Sequence, residues 1–66
     1  MTKTELTQIA KRHNAEVVCN KRDWGFYYIP EDKMQSFSKC IIDGKASMHS
    51  SYVKESKAFS VTVTLK

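Results

Sequence analysis

Apolar and polar positions recur along this chain with two different periods, and each change of period marks an element. In TKTELTQIAKRHNA, residues 2 to 15, Leu6, Ile9, Ala10 and His13 fall at i, i+3, i+4 and i+7, one narrow apolar face of an α-helix. Thr2 suits the N-cap and Glu5 stands three residues later, so a capping box is expected to satisfy two backbone donors of the first turn. Lys3, Lys11 and Arg12 point away from the apolar face. Lys11, Arg12 and His13 also suit the negative pole of the helix dipole, which gives this basic cluster a structural reason.

AEVVCN (15–20) and WGFYYI (24–29) are rich in β-branched and aromatic residues and are joined through NKRD, a connection short enough for an antiparallel hairpin. Pro30 closes the second strand, because it offers no ladder donor. In this strand Trp24, Phe26 and Tyr28 share one face, assigned here to the core, and Tyr27 takes the opposite, outward face. EDKMQSFSK supports two readings. Met34, Phe37 and Ile41 sit at helical spacing, while Phe37, Lys39 and Ile41 also alternate; a short helix near 31–38 followed by a strand is the expectation.

Asp43-Gly44 between apolar-containing runs predicts a type I′ hairpin turn, with residues 45–53 as the return strand and KESK as the next turn. AFSVTVTL (58–65) alternates most regularly: Phe59, Val61, Val63 and Leu65 against Ser60, Thr62 and Thr64. The pattern as a whole predicts one compact α+β domain over residues 1–66. One N-terminal helix packs on a four- to five-stranded, mainly antiparallel sheet, with a short second helix near 31–38.

Length changes the picture by making the core marginal. Sixty-six residues form a single domain, with 19 sizeable apolar side chains to fill it: Leu6, Ile9, Val17, Val18, Trp24, Phe26, Tyr28, Ile29, Met34, Phe37, Ile41, Ile42, Met48, Tyr52, Val53, Phe59, Val61, Val63 and Leu65. No apolar run approaches the roughly 20 residues of a membrane span, and the N-terminus lacks a signal peptide's apolar stretch. A complete small cytoplasmic protein without a membrane contact is expected. Cys19 and Cys40 then read as buried free thiols, with a single bridge as the alternative.

The net charge of +4 is distributed unevenly: residues 1–22 carry +3, residues 23–43 carry −2 and residues 44–66 carry +3. Such a balance permits attraction to polyanions without requiring it. His13, Cys19, Cys40 and His49 have no local pair at zinc-site spacing, so no metal site and no cofactor is expected. MHSSY places His49 beside two serines, but neighbours along a strand point to opposite faces. A His13–His49 acid–base pair ranks below the reading of both as structural; no enzyme is expected.

Binding remains. The candidate partner-binding residues are Asn20, Lys21, Arg22, Trp24 and Tyr27 around the hairpin connection, with Lys11 and Arg12 at the helix end. Trp, Tyr and Arg dominate protein interface hot spots, so the leading expectation is a small non-enzymatic binding protein. It would inhibit or modulate a larger protein or nucleoprotein partner by occluding its surface, as proteins encoded by phages or mobile elements do. Cations interleaved with aromatics also suit single-stranded nucleic acid, so the alternative is a small basic nucleic-acid-binding regulator. Homo-oligomerisation through an unpaired edge of the C-terminal strand is a further expectation.

Overall fold

In the computed structural model, which describes residues 1–65, the chain runs through α1 (Lys3–Arg12), β1 (Glu16–Asn20), β2 (Trp24–Pro30), a 3-10 turn (Glu31–Lys33), α2 (Met34–Asp43), β3 (Ser47–Val53) and β4 (Ala58–Thr64). The four strands form one antiparallel sheet in the order β1-β2-β4-β3. The class is α+β, as the pattern predicts. Among the described residues no helix is long and apolar enough to cross a membrane.

The predicted capping box opens α1. Thr2 Oγ1 accepts from the Glu5 amide at 3.2 Å, and Glu5 Oε1 accepts from the Thr2 amide at 2.9 Å. The second bond holds the Glu5 carboxyl below its ordinary pKa. Leu6, Ile9 and Ala10 bury the expected face, and His13 caps the helix end while itself buried. Asn14 then takes φ 56°, and the Ala15 and Asn14 amides bond back to the Ala10 and Lys11 carbonyls. That pair of bonds is a Schellman stop, for which asparagine tolerates the left-handed conformation.

His13 joins the two helices. Its Nδ1 lies 2.7 Å from the Ile9 carbonyl and therefore donates, which leaves Nε2 to meet the Ser36 hydroxyl at 2.9 Å. The ring also stands edge-on to Phe37, with centroids 5.7 Å apart. Leu6, Ile9 and Ala10 from α1, Phe37 and Ile41 from α2, and Tyr27, Ile29, Val61 and Val63 from the sheet form one core. Both helices thus cover the same face of the sheet.

Three expectations are corrected. The segment after Pro30 is helical through Asp43, so residues 39–42 make no strand and Asp43-Gly44 makes no hairpin. The helical spacing of Met34, Phe37 and Ile41 prevails because it buries Phe37 and Ile41 completely. A second Schellman stop follows, with Lys45 at φ 61° and the Lys45 and Ala46 amides bonded to the Ile42 and Ile41 carbonyls. Gly44 keeps φ −80°; a side chain there would meet Met1, whose amino group donates to the Gly44 carbonyl at 3.3 Å.

The C-terminal strand has no free edge. β4 lies in the middle of the sheet, paired with β2 on one side and β3 on the other, so it cannot lend an edge to a second copy; the free edges belong to β1 and β3. Its buried face, Val61 and Val63, is as the alternation predicts.

The largest correction concerns β2, whose two faces are reversed. Gly25, Tyr27 and Ile29 face the helices and are buried, whereas Trp24, Phe26 and Tyr28 lie on the uncovered face. Tyr27 is therefore a core residue and not an outward-facing contact. Its ring lies across Gly25, where an added Cβ would clash with the phenol. β1, at the sheet edge, carries a bulge between Val17 and Cys19 and leaves Val17 and Val18 about half exposed. Both cysteines are free and half-buried.

Two predictions follow from the ring over Gly25. Gly25→Ala is expected to lower stability by about 1–3 kcal/mol in urea unfolding, because the ring has to leave its place. Tyr27→Phe is expected to cost little or to stabilise, since the Tyr27 hydroxyl is buried without a hydrogen-bond partner among the described residues. Burial also pushes the Tyr27 phenol above its ordinary pKa. The folded state then holds a proton that the unfolded chain loses near pH ~10, so stability falls as pH rises beyond that point. The fall is expected to be shallower in Tyr27→Phe, read by alkaline denaturation of the two proteins side by side.

Candidate binding surface

Residues directly opposite one another in an antiparallel sheet share a face, so the register lays out the side without helices row by row. Trp24 stands opposite Thr64, and Thr64 opposite Ser47; Phe26 opposite Thr62, and Thr62 opposite His49; Tyr28 opposite Ser60, and Ser60 opposite Ser51. On the other flank Cys19 pairs with Phe26 and Glu16 with Tyr28. The result is a line of three aromatic rings along β2 with two files of hydroxyls and an imidazole beside it. Trp24 is 38 % exposed and Phe26 and Tyr28 are half-buried. The Phe26 and Tyr28 rings lean together, with centroids 5.8 Å apart at 59°.

The hairpin tip, Lys21 to Asp23, adjoins the Trp24 end of this line and is tied down by backbone bonds. The Trp24 carbonyl accepts from the Lys21 amide at 2.8 Å, and the Asp23 carbonyl from the Leu65 amide at 2.9 Å. Lys3 Nζ, reaching from the first turn of α1, also donates to the Trp24 carbonyl at 3.0 Å. Partial burial lowers the pKa of the Lys3 ammonium, with the negative charge of Asp23 acting in the opposite direction. Asn20, Lys21 and Arg22 remain exposed.

The sequence-predicted candidates therefore separate. Asn20, Lys21, Arg22 and Trp24 come together at one end of the sheet. Lys11 and Arg12, also exposed, sit at the far end of α1, just before the chain enters β1, at the opposite end of the sheet from the tip. Tyr27 leaves the set because it is inside. Phe26 and Tyr28 join it, together with the β4 hydroxyls, and the signal that could have found them is Ile29. It is the aliphatic residue of the strand, and it shares a face with Tyr27 rather than with Phe26.

The residues weighed for catalysis or metal binding are divided by the sheet. His13 is buried on the helix side, whereas His49 is on the open face opposite Thr62. Cys19 lies on the open face and Cys40 on α2, packed against the core. At the other end of the molecule Tyr52 donates to Glu31 Oε2 at 2.7 Å, which holds the Tyr52 phenol above its ordinary pKa. It stacks edge-on against Phe59, with centroids 5.1 Å apart.

Exposure makes the difference between the two kinds of aromatic residue measurable. Trp24→Ala is expected to cost about 1 kcal/mol, as for a side chain that keeps one face in solvent. Phe37→Ala, at a fully buried position, is expected to cost about 3–5 kcal/mol. Thermal and urea unfolding of the two variants checks the contrast.

No protein-family model, no curated protein and no solved structure matches this chain.

Proposed function

We propose that this protein is a non-enzymatic binding module that acts by occluding a surface of a larger protein or nucleoprotein partner. Its contact surface is the uncovered sheet face with the adjoining basic tip. The observation that carries the reading is the one-sided cover: both helices pack on a single face, and the opposite face carries Trp24, Phe26 and Tyr28, with the exposed Lys21 and Arg22 in the loop that leads into Trp24. A chain with a marginal core gains little by leaving three aromatic rings in partial contact with water. Trp, Tyr and Arg, here Trp24, Tyr28 and Arg22, are the residue types that dominate binding energy in interfaces.

The second reading, a small nucleic-acid-binding regulator, gains support from the same reversal of β2. The rings assigned to the core lie on the open face, and aromatics interleaved with cations are what unpaired bases and phosphates require.

Capture of partners by a tagged protein tests the surface. Lys21→Glu with Arg22→Glu is expected to leave the melting temperature nearly unchanged, because exposed loop charges contribute little to stability, while weakening partner capture about tenfold or more. Trp24→Ala is expected to do the same. Lys11→Glu with Arg12→Glu, at the opposite end of the sheet, is expected to retain capture. Undiminished capture by the tip and Trp24 variants would place the functional surface elsewhere.

A further inference from the structure

We propose that the occupant of the open sheet face is single-stranded RNA. Its bases stack on Trp24, Phe26 and Tyr28, its phosphates meet Lys21 and Arg22, and its ribose hydroxyls meet Thr62 and Thr64. The inference rests on the open-face assignment above, takes up its second, nucleic-acid reading, and adds the chemistry of what binds there.

Shape argues first. The aromatic part of this face is a line along β2: the neighbouring file on β4 is Ser60, Thr62 and Thr64, the next on β3 is Ser47, His49 and Ser51, and the β1 side adds Cys19 and Glu16. Such a line offers successive stacking surfaces to a linear polymer.

Charge supplies the complementarity. The chain carries +4, and two exposed cations, Lys21 and Arg22, stand at the Trp24 end of the line. Trp24 thus offers a stacking surface within a few residues of phosphate-binding groups, the combination that holds single strands. Glu16 on β1, opposite Tyr28, turns the strand away from β1 and over the hydroxyl file of β4. Those hydroxyls both donate and accept, as a ribose 2′-hydroxyl does. This is the reason to assign RNA over DNA.

The chain's single tryptophan reports on its own site. The expected result is quenching of Trp24 fluorescence by an oligouridylate of about 12 nucleotides, with binding by oligothymidylate of the same length about fivefold weaker or more, and no binding of duplex. Affinity for the oligouridylate is expected to fall with a log–log salt slope of about −1.4, as two neutralised phosphates give on a single strand. In anisotropy titrations of labelled oligonucleotide, Trp24→Ala and Phe26→Ala are expected to weaken binding about tenfold. Thr62→Val is expected to weaken RNA more than DNA. Because Phe26→Ala touches a half-buried side chain, circular dichroism melts accompany the titrations, and Lys21→Glu with Arg22→Glu serves as the loop variant that leaves the fold alone.

Absence of quenching by the oligouridylate at low salt overturns the proposal. Equal affinity for oligothymidylate overturns the ribose assignment and with it the choice of RNA. A dimer in sedimentation that Trp24→Ala dissolves gives the face to a second copy and also overturns the proposal. If RNA fails while Trp24→Ala abolishes stoichiometric capture of a protein, the RNA inference falls and the open-face reading stands. If folded Trp24→Ala and Phe26→Ala proteins bind every partner unchanged, both fall.

Discussion

The placement of the Tyr27 ring across Gly25 fixes the rest of the molecule. Strand side chains alternate with a period of two, so the decision that Tyr27 points inward carries Gly25 and Ile29 with it and sends Trp24, Phe26 and Tyr28 outward. Only a residue without a side chain leaves room for the phenol on the same face two positions away. From there the ring reaches Phe37 of α2, with centroids 6.4 Å apart, and so joins the central strand to the second helix. The arrangement leaves a buried hydroxyl without a partner among the described residues, a cost of about 1–3 kcal/mol. Burial of the large ring offsets it with a gain of similar size.

Around this contact the chain builds the same unit twice. Helix, strand, strand is followed by helix, strand, strand, and the two central strands β2 and β4 meet antiparallel. Each helix ends in a Schellman stop with a non-glycine residue at positive φ, Asn14 in one and Lys45 in the other, and an alanine follows each. The inner positions of the two central strands are apolar apart from Gly25: Tyr27 and Ile29 in one, Phe59, Val61 and Val63 in the other. The outer positions differ. β2 presents Trp24, Phe26 and Tyr28 where β4 presents Ala58, Ser60, Thr62 and Thr64. Packing accounts for what the two units share, and the candidate surface lies where they differ.

Much of the fold was legible because it rests on local chemistry. The capping box at Thr2 and Glu5, the apolar face of α1, the turn at 54–57 and the two faces of β4 all involve residues within a few positions of one another. The tip residues Lys21 and Arg22 were legible as exposed because a short polar hairpin loop has nowhere to bury them. Asp43-Gly44 was misread for an instructive reason. The same dipeptide suits a hairpin turn and the end of a helix, and the choice is made by burial of Phe37 and Ile41 against residues distant in sequence.

By itself, then, the sequence determined the α+β class, a capped N-terminal helix, an aromatic hairpin and a final amphipathic strand, because propensity, capping and periodicity act over short distances. Tertiary structure decided three things that no local pattern contains. These are the face of β2 that enters the core, the interior place of β4 between β2 and β3, and the packing of both helices on one side. Each depends on which distant surfaces bury each other. An alternating strand has two faces of similar apolarity here, and only the fit of Tyr27 to Gly25 and Phe37 separates them.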